Sequence, residues 1–317
     1  MASKYELKLG AATREAFGRA IVELGKENEN VVVCDADLSK STMTTYFAKE
    51  FPKRFFSCGI AESNMVSIGA GLASSGKIPF VSSFSAFVVN KGFEQLRVNV
   101  AYPNVNLKVV GTHSGISIGE DGPSQMSIED LSLTCSLPGF VVISPADEVA
   151  MTALVKQSAA HVGPVFLRAG RVKVPVIYSK DQVFEIGKAI ELLEGTDVTL
   201  ISHGLMVAEA IKAADALSAE GISASVIDMH TIKPIDRDAI AKAAAKTKAI
   251  VVAEEHLVDG GLGVRVAQVV SETNPCVMEF VGLTTYAESG TPEEVLNKYG
   301  MNAASIVTAA KKVLARK

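Results

Sequence analysis

The chain has 317 residues, 48% of them hydrophobic and 21% charged, with a formal net charge of -4. That length and apolar content are enough to bury a large core and point to two domains. Mild negative charge without a long basic run disfavours nucleic acid or an anionic membrane surface as the main partner, leaving small molecules and other proteins.

The opening Met1-Ala2-Ser3-Lys4-Tyr5-Glu6 lacks the apolar core of a signal peptide, and no later stretch is long enough to span a membrane. The four cysteines, Cys34, Cys58, Cys135 and Cys276, are scattered without C-x-x-C spacing, which suits a reducing compartment and argues against a zinc site or disulfide framework. A cytoplasmic protein with no membrane partner is expected.

Short apolar runs at Val31-Val32-Val33, Ile78 to Val81, Leu107 to Val110, Val141-Val142-Ile143 and Pro164 to Leu167 alternate with helical patterns. This alternation predicts an α/β fold built on a mainly parallel, buried sheet. Between the first two runs lies Gly59-Ile60-Ala61-Glu62, opening a helix in which Met65, Ile68 and Leu72 recur at helical spacing and Gly69, Gly71 and Ala73 permit close packing. Glu62 in the first turn has a plain explanation, as a carboxylate near exposed helix amides. An isolated carboxylate in such an apolar setting nevertheless costs several kcal/mol unless something binds it.

Gly71-Leu72-Ala73-Ser74-Ser75-Gly76-Lys77 matches the start of a phosphate-binding loop, but Ile78 replaces the required Ser or Thr and Gly76 reads as a helix stop. In Ser83-Phe84-Ser85-Ala86-Phe87, the two aromatics are spaced to share one helical face. They are either ordinary core or an apolar wall for a flat ring. The segment Gly111 to Gln125 follows a strand, is too glycine-rich for a helix, and gathers His113, Glu120, Asp121 and Gln125 in one loop. Loops at strand carboxyl ends are where open α/β sheets bind ligands, so this one reads as functional.

From about Lys173 to Lys188 the periodicity lapses. We expect a first domain over 1–175, a linker over 176–188, and a second over 189–317. The second α/β series has strands at Val198 to Ile201, Ser223 to Ile227 and Ala249 to Val252, and a helix from Met206 to Glu220 that Gly221 stops. Gly260-Gly261-Leu262-Gly263 lacks the full dinucleotide fingerprint and reads as a tight turn. His113, His161, His203, His230 and His256 show no paired metal spacing, so no metal site made only from this chain is expected.

Taken in order, Gly59-Ile60-Ala61-Glu62, Phe84-Ser85-Ala86-Phe87 and Gly119 to Met126 resemble the transketolase family in its pyrimidine-binding and C-terminal domains, as does Thr231-Ile232-Lys233-Pro234-Ile235-Asp236. The resemblance covers almost the whole chain and implies thiamine diphosphate as coenzyme. It casts Glu62 as the carboxyl group that shares a proton with the aminopyrimidine and favours its reactive tautomer. Phe84 and Phe87 would wall the ring in a dry pocket, with Asp37 near the coenzyme. It further implies that Arg14, Ser41, His113 and Arg171 bind a sugar phosphate and that Asp121 reads the substrate hydroxyl beside the reacting carbonyl. For Arg14 and Arg171 taken alone, a solvated or ion-paired arginine is the plainer explanation. Gln125 departs from the His of bacterial and yeast-type members but matches animal-type ones. It can orient substrate but cannot act as a general base.

The family binds the diphosphate and its Mg2+ (or Ca2+) through Gly-Asp-Gly followed by Asn, and no Gly-Asp-Gly occurs here. The resemblance therefore implies a separate partner, a transketolase N-terminal subunit, in a heterotetramer with two copies of each chain and a large apolar interface near Glu62 and Phe84. Neither chain would turn over alone. Competing readings are the beta subunit of a 2-oxo-acid dehydrogenase, the matching part of a deoxyxylulose phosphate synthase, and a non-catalytic regulatory subunit that kept the fold.

Overall fold

Strands covered on both faces are apolar along their middles, and Val31–Asp35, Lys108–Thr112 and Val165–Arg168 are buried throughout, with polar side chains only at their ends. The computed structural model describes residues 5–317 and assembles such strands into two sheets flanked by helices. In the first sheet the spatial order is Thr231–Lys233, Val141–Ile143, Val165–Arg168, Lys108–Thr112, Ile78–Phe84, Val31–Asp35 and Phe55–Ser57. All neighbours are parallel except Thr231–Lys233, which runs antiparallel to Val141–Ile143. The second sheet, ordered Val277–Leu283, Ala249–Leu257, Val198–Ser202, Ala224–Asp228 and Ile190–Leu193, is parallel apart from its last strand.

Helix Thr13–Glu27 buries Phe17, Ile21 and Leu24 at helical spacing, while Gly25 lets the rings of Phe47 and Phe51 approach where a Cβ would sit 2.6 and 2.7 Å from them. The same device seats helix Glu62–Ser74 on the sheet. A Cβ on Gly69 would lie 2.6 Å from Val81 and 2.7 Å from Leu107, so no larger residue keeps the helix at this distance. The helix ends at Ser75, and Gly76 leaves it at a φ of +85°.

Two features of the fold carry no local signal in the sequence. Lys173–Pro175 is a strand, antiparallel to Leu9–Ala12, and the segment that follows is no loose tether. Tyr178 and Phe184 are buried and meet edge to face at 4.8 Å between ring centroids. These single aromatics carry no period, which is why the segment looks structureless in sequence. Thr231–Lys233, from the second half of the chain, also extends the first sheet and stitches the two sheets together.

Candidate functional site

The carboxyl ends of the first sheet's strands gather most of the polar residues singled out from sequence. Glu62 begins its helix at 3% exposure, after Gly59 turns the chain at a φ of +69°. Its carboxylate has Lys91 as a cationic neighbour, whose Nζ donates to Oε2 at 3.3 Å. Ser63 Oγ donates to the Lys91 carbonyl at 2.7 Å, which fixes that residue against the helix start. The Lys91 ammonium also lies 4.5 Å from the Phe87 ring centroid.

Phe84 ends strand Ile78–Phe84 and Phe87 lies in the short helix Ser85–Val88, so they do not share a single helix as the spacing suggested. Their rings are nonetheless stacked, with centroids 5.5 Å apart and planes at 16°. The His113 imidazole stacks on Phe84 at 3.8 Å. Burial, then the charges of Arg14 and Arg171, push its pKa down to about 3, so the ring is neutral near pH 7. Its Nδ1 lies 2.9 Å from Thr112 Oγ1.

Arg14 donates from Nη1 to the Ser41 carbonyl at 2.6 Å, so Ser41 enters the site at least through its backbone. Burial, followed by opposing influences from Glu15 and Arg171, leaves the Arg14 pKa lowered. Its buried Nε has no hydrogen-bond partner, an orphaned donor that an anion would satisfy. Arg171 is bound to the Ile118 carbonyl and to Glu120 Oε2, the latter at 2.5 Å. Asp121 is exposed in the turn Gly119–Asp121, and half-buried Gln125 accepts from Ser124 Oγ at 2.6 Å. Asp37, exposed at a φ of +66°, follows the strand that ends in Asp35.

Sequence reasoning missed the clamp behind this surface. Arg168 Nε donates to both oxygens of fully buried Asp130, at 3.1 and 2.9 Å, and Ser85 Oγ donates to Asp130 at 2.8 Å, next to Phe84. Burial opposes ionisation of Asp130, but Arg168, His256 and these hydrogen bonds hold its pKa below the usual value. Their chain positions give no hint of this pairing because it is made by tertiary folding. The Gly260-Gly261-Leu262-Gly263 turn does start a helix, but its amides are taken by the chain itself. Glu254 accepts from Leu262 N at 2.7 Å and Gly263 N at 2.8 Å, occupying the place an anion would take. Among the described residues no cluster of three or more His, Cys, Asp or Glu is placed to hold a metal, and no helix is long and apolar enough to cross a membrane.

Comparison with known proteins gives two family-model matches: the transketolase pyrimidine-binding domain over residues 10–176 and the transketolase C-terminal domain over 187–306. A protein of Methanocaldococcus jannaschii described as a transketolase C-terminal section is 43% identical over 297 residues, covering 92% of this chain and 93% of its own. The 6-deoxy-6-sulfo-D-fructose transketolase subunit of a Clostridium strain is 38% identical over 100% of this chain and 99% of its own. A solved structure described as a split-gene transketolase in an inactive β4 tetramer superposes with a TM-score of 0.91 at 48% identity, covering 96% of this chain and 99% of that one.

Proposed function

The chain belongs to the transketolase family, and from that premise we propose that it is the C-terminal subunit of a two-chain, thiamine-diphosphate-dependent transketolase that moves a two-carbon ketol unit between sugar phosphates in the pentose phosphate pathway. The observation that carries the reading is that buried Glu62 and the stacked Phe84 and Phe87 rings meet at one side chain, the Lys91 ammonium, which contacts both the Glu62 carboxylate and the Phe87 ring. A buried acceptor beside an aromatic wall fits an aminopyrimidine. When bound, the coenzyme would supply an electron sink that stabilises carbanion character on the transferred two-carbon unit.

Glu62 then holds a proton at the pyrimidine nitrogen, and Phe84 and Phe87 exclude water from that contact. Lys91, held by Glu62 in this chain, gives way to the ring. Arg14, Arg171, neutral His113 and the Ser41 segment bind the anionic end of the sugar, an assignment supported by the orphaned Nε of Arg14. Asp121 and Gln125 orient the hydroxyl-bearing carbons, and Asp37 borders the coenzyme. The domain boundaries proposed are 1–175 and 189–317, joined by 176–188.

The diphosphate and its Mg2+ (or Ca2+) belong to a partner, the transketolase N-terminal subunit, in a heterotetramer. Support comes from similar chains described as a C-terminal section and as a split-gene product. Exposed apolar side chains suit docking: Ile60, two residues before Glu62, is 78% exposed, and a separate patch has Tyr102 89% exposed at a cavity of about 490 Å³ bordered by Arg97, Val98, Ala101, Tyr102 and Pro138. The free thiols Cys34, Cys58, Cys135 and Cys276 suit the cytoplasm as the setting.

A second substrate reading is favoured by the full-length similarity to the sulfofructose transketolase subunit: a sulfonate, like a phosphate, presents three oxygens that can accept guanidinium hydrogen bonds from the arginine cluster. The test is co-expression with the diphosphate-domain chain, followed by assays of ketol transfer from xylulose 5-phosphate and from 6-deoxy-6-sulfofructose to an aldose phosphate acceptor. Transfer from the first supports the reading, and transfer only from the second moves the substrate class. Decarboxylation of a 2-oxo acid in place of transfer overturns both.

A further inference from the structure

The loop from His113 to Ser127 carries Asp121 and Gln125 and is held by turns of its own, by Arg171 at the Ile118 carbonyl, and by the second domain. Its base is closed by Gly115 N donating to the Ser127 carbonyl at 2.8 Å. Part of its inner side is filled from the second domain. Glu255, at 3% exposure near the end of strand Ala249–Leu257, reaches across and accepts from Ser117 N–H at 2.6 Å. The fit leaves no spare room: a Cβ on Gly115, whose φ is +80°, would lie 2.2 to 2.4 Å from the Glu255 carboxyl atoms.

Arg168 ties the arrangement to the clamp behind Phe84, donating from Nη2 to the Ser127 carbonyl at 3.2 Å and to the Glu255 carbonyl at 3.0 Å. The outer half of the loop rests on the second domain as well. Cβ atoms on Gly119 and Gly122 would meet Pro292 at 2.8 Å and Ser289 at 2.4 Å. Amide, glycine and carboxylate thus meet at one buried point with a specific hydrogen bond, whereas simple domain packing would need only apolar contact.

We propose that Glu255 is a positioning residue for ketol transfer: through the Ser117 amide, the C-terminal domain sets the loop that presents Asp121 and Gln125 to the substrate. This rests on the transketolase reading for its catalytic consequence but not for its structural one. The side chain touches neither coenzyme nor sugar and acts by holding the loop.

The test compares Glu255→Leu, which removes the acceptor, with Glu255→Gln, which keeps an oxygen for Ser117, and with Gly115→Ala, which pushes the carboxylate away from the loop side. Amide exchange over residues 115–122 is read on the full chain. Exchange is expected to rise about tenfold or more in Glu255→Leu and Gly115→Ala and to stay near the parent rate in Glu255→Gln. In the assembled two-chain enzyme, kcat/KM for the sugar donor should fall about 10- to 100-fold in the first two and recover in Glu255→Gln, with coenzyme affinity unchanged. Unaltered loop exchange in both Glu255→Leu and Gly115→Ala, or a Glu255→Gln variant as loose as Glu255→Leu, overturns the proposal. The exchange result stands apart from activity: a tethered loop in a chain whose parent complex transfers no ketol unit would sink the transketolase reading alone.

Discussion

The His113 imidazole lies face to face with the Phe84 ring, their centroids 3.8 Å apart and their planes 25° from parallel. Register explains the contact, because Phe84 pairs with Thr112 on the neighbouring parallel strand and His113 is the next residue. The aromatic wall and the arginine cluster are therefore joined through one stacked side chain.

That stack gives a pH prediction. His113 has its pKa lowered from 6.5 to about 3, chiefly by burial, so the folded chain binds fewer protons than the unfolded one between those values. Stability should fall as pH drops from about 6.5 towards 3. The difference in denaturation midpoint between the parent and His113→Gln, followed across that window, isolates this contribution from other histidines. A difference independent of pH would refute the assignment.

Arg14→Ala should weaken the anionic substrate more than the coenzyme, because the guanidinium faces His113 and Arg171 and has a free buried Nε. Loss of one charge-assisted contact is expected to raise KM for the sugar phosphate about 10- to 100-fold with thiamine diphosphate affinity unchanged. Titration of both ligands into the complex checks it, and an equal loss for the two would place Arg14 elsewhere.

The Asp130 and Arg168 pair should be the most sensitive point for stability outside the apolar core. Asp130→Ala leaves a guanidinium at 6% exposure without its carboxylate, a change expected to cost about 3 to 5 kcal/mol. Urea denaturation gives the number, and a loss below about 1 kcal/mol would show that water or another group replaces the carboxylate.

Gly69→Val should lift helix Glu62–Ser74 off the sheet, since even a Cβ would lie 2.6 Å from Val81. We expect a destabilisation of about 1 to 3 kcal/mol and weaker coenzyme binding from the same variant, because Glu62 rides on that helix. Lost stability with intact coenzyme binding would separate the helix position from the site.

How far these features could be read from sequence depends on their range. Glu62 and the Gly111 to Gln125 loop were legible because a carboxylate in an apolar helix and a glycine-rich loop after a strand each violate a local pattern. The α/β alternation was legible because it is itself a local pattern of short apolar runs and helical periods. Lys91 was not, since Asn90-Lys91-Gly92 looks like any polar turn until folding sets it on Glu62. Glu255 lies 138 positions from Ser117 and Arg168 lies 38 from Asp130, and no periodicity encodes contacts of that span. The strand Thr231–Lys233 was hidden likewise, because its pairing partner belongs to the other half of the chain.

The central claim is that Glu62, buried in this chain, activates a coenzyme whose diphosphate is held by another. Its most direct measurement is deuterium exchange at the reactive thiazolium carbon of thiamine diphosphate, followed by NMR in the two-chain complex and in the same complex carrying Glu62→Gln. The account expects fast exchange in the parent complex, about 100- to 10,000-fold slower exchange in the variant, and little exchange with either chain alone. Equal exchange rates in parent and variant complexes would contradict it.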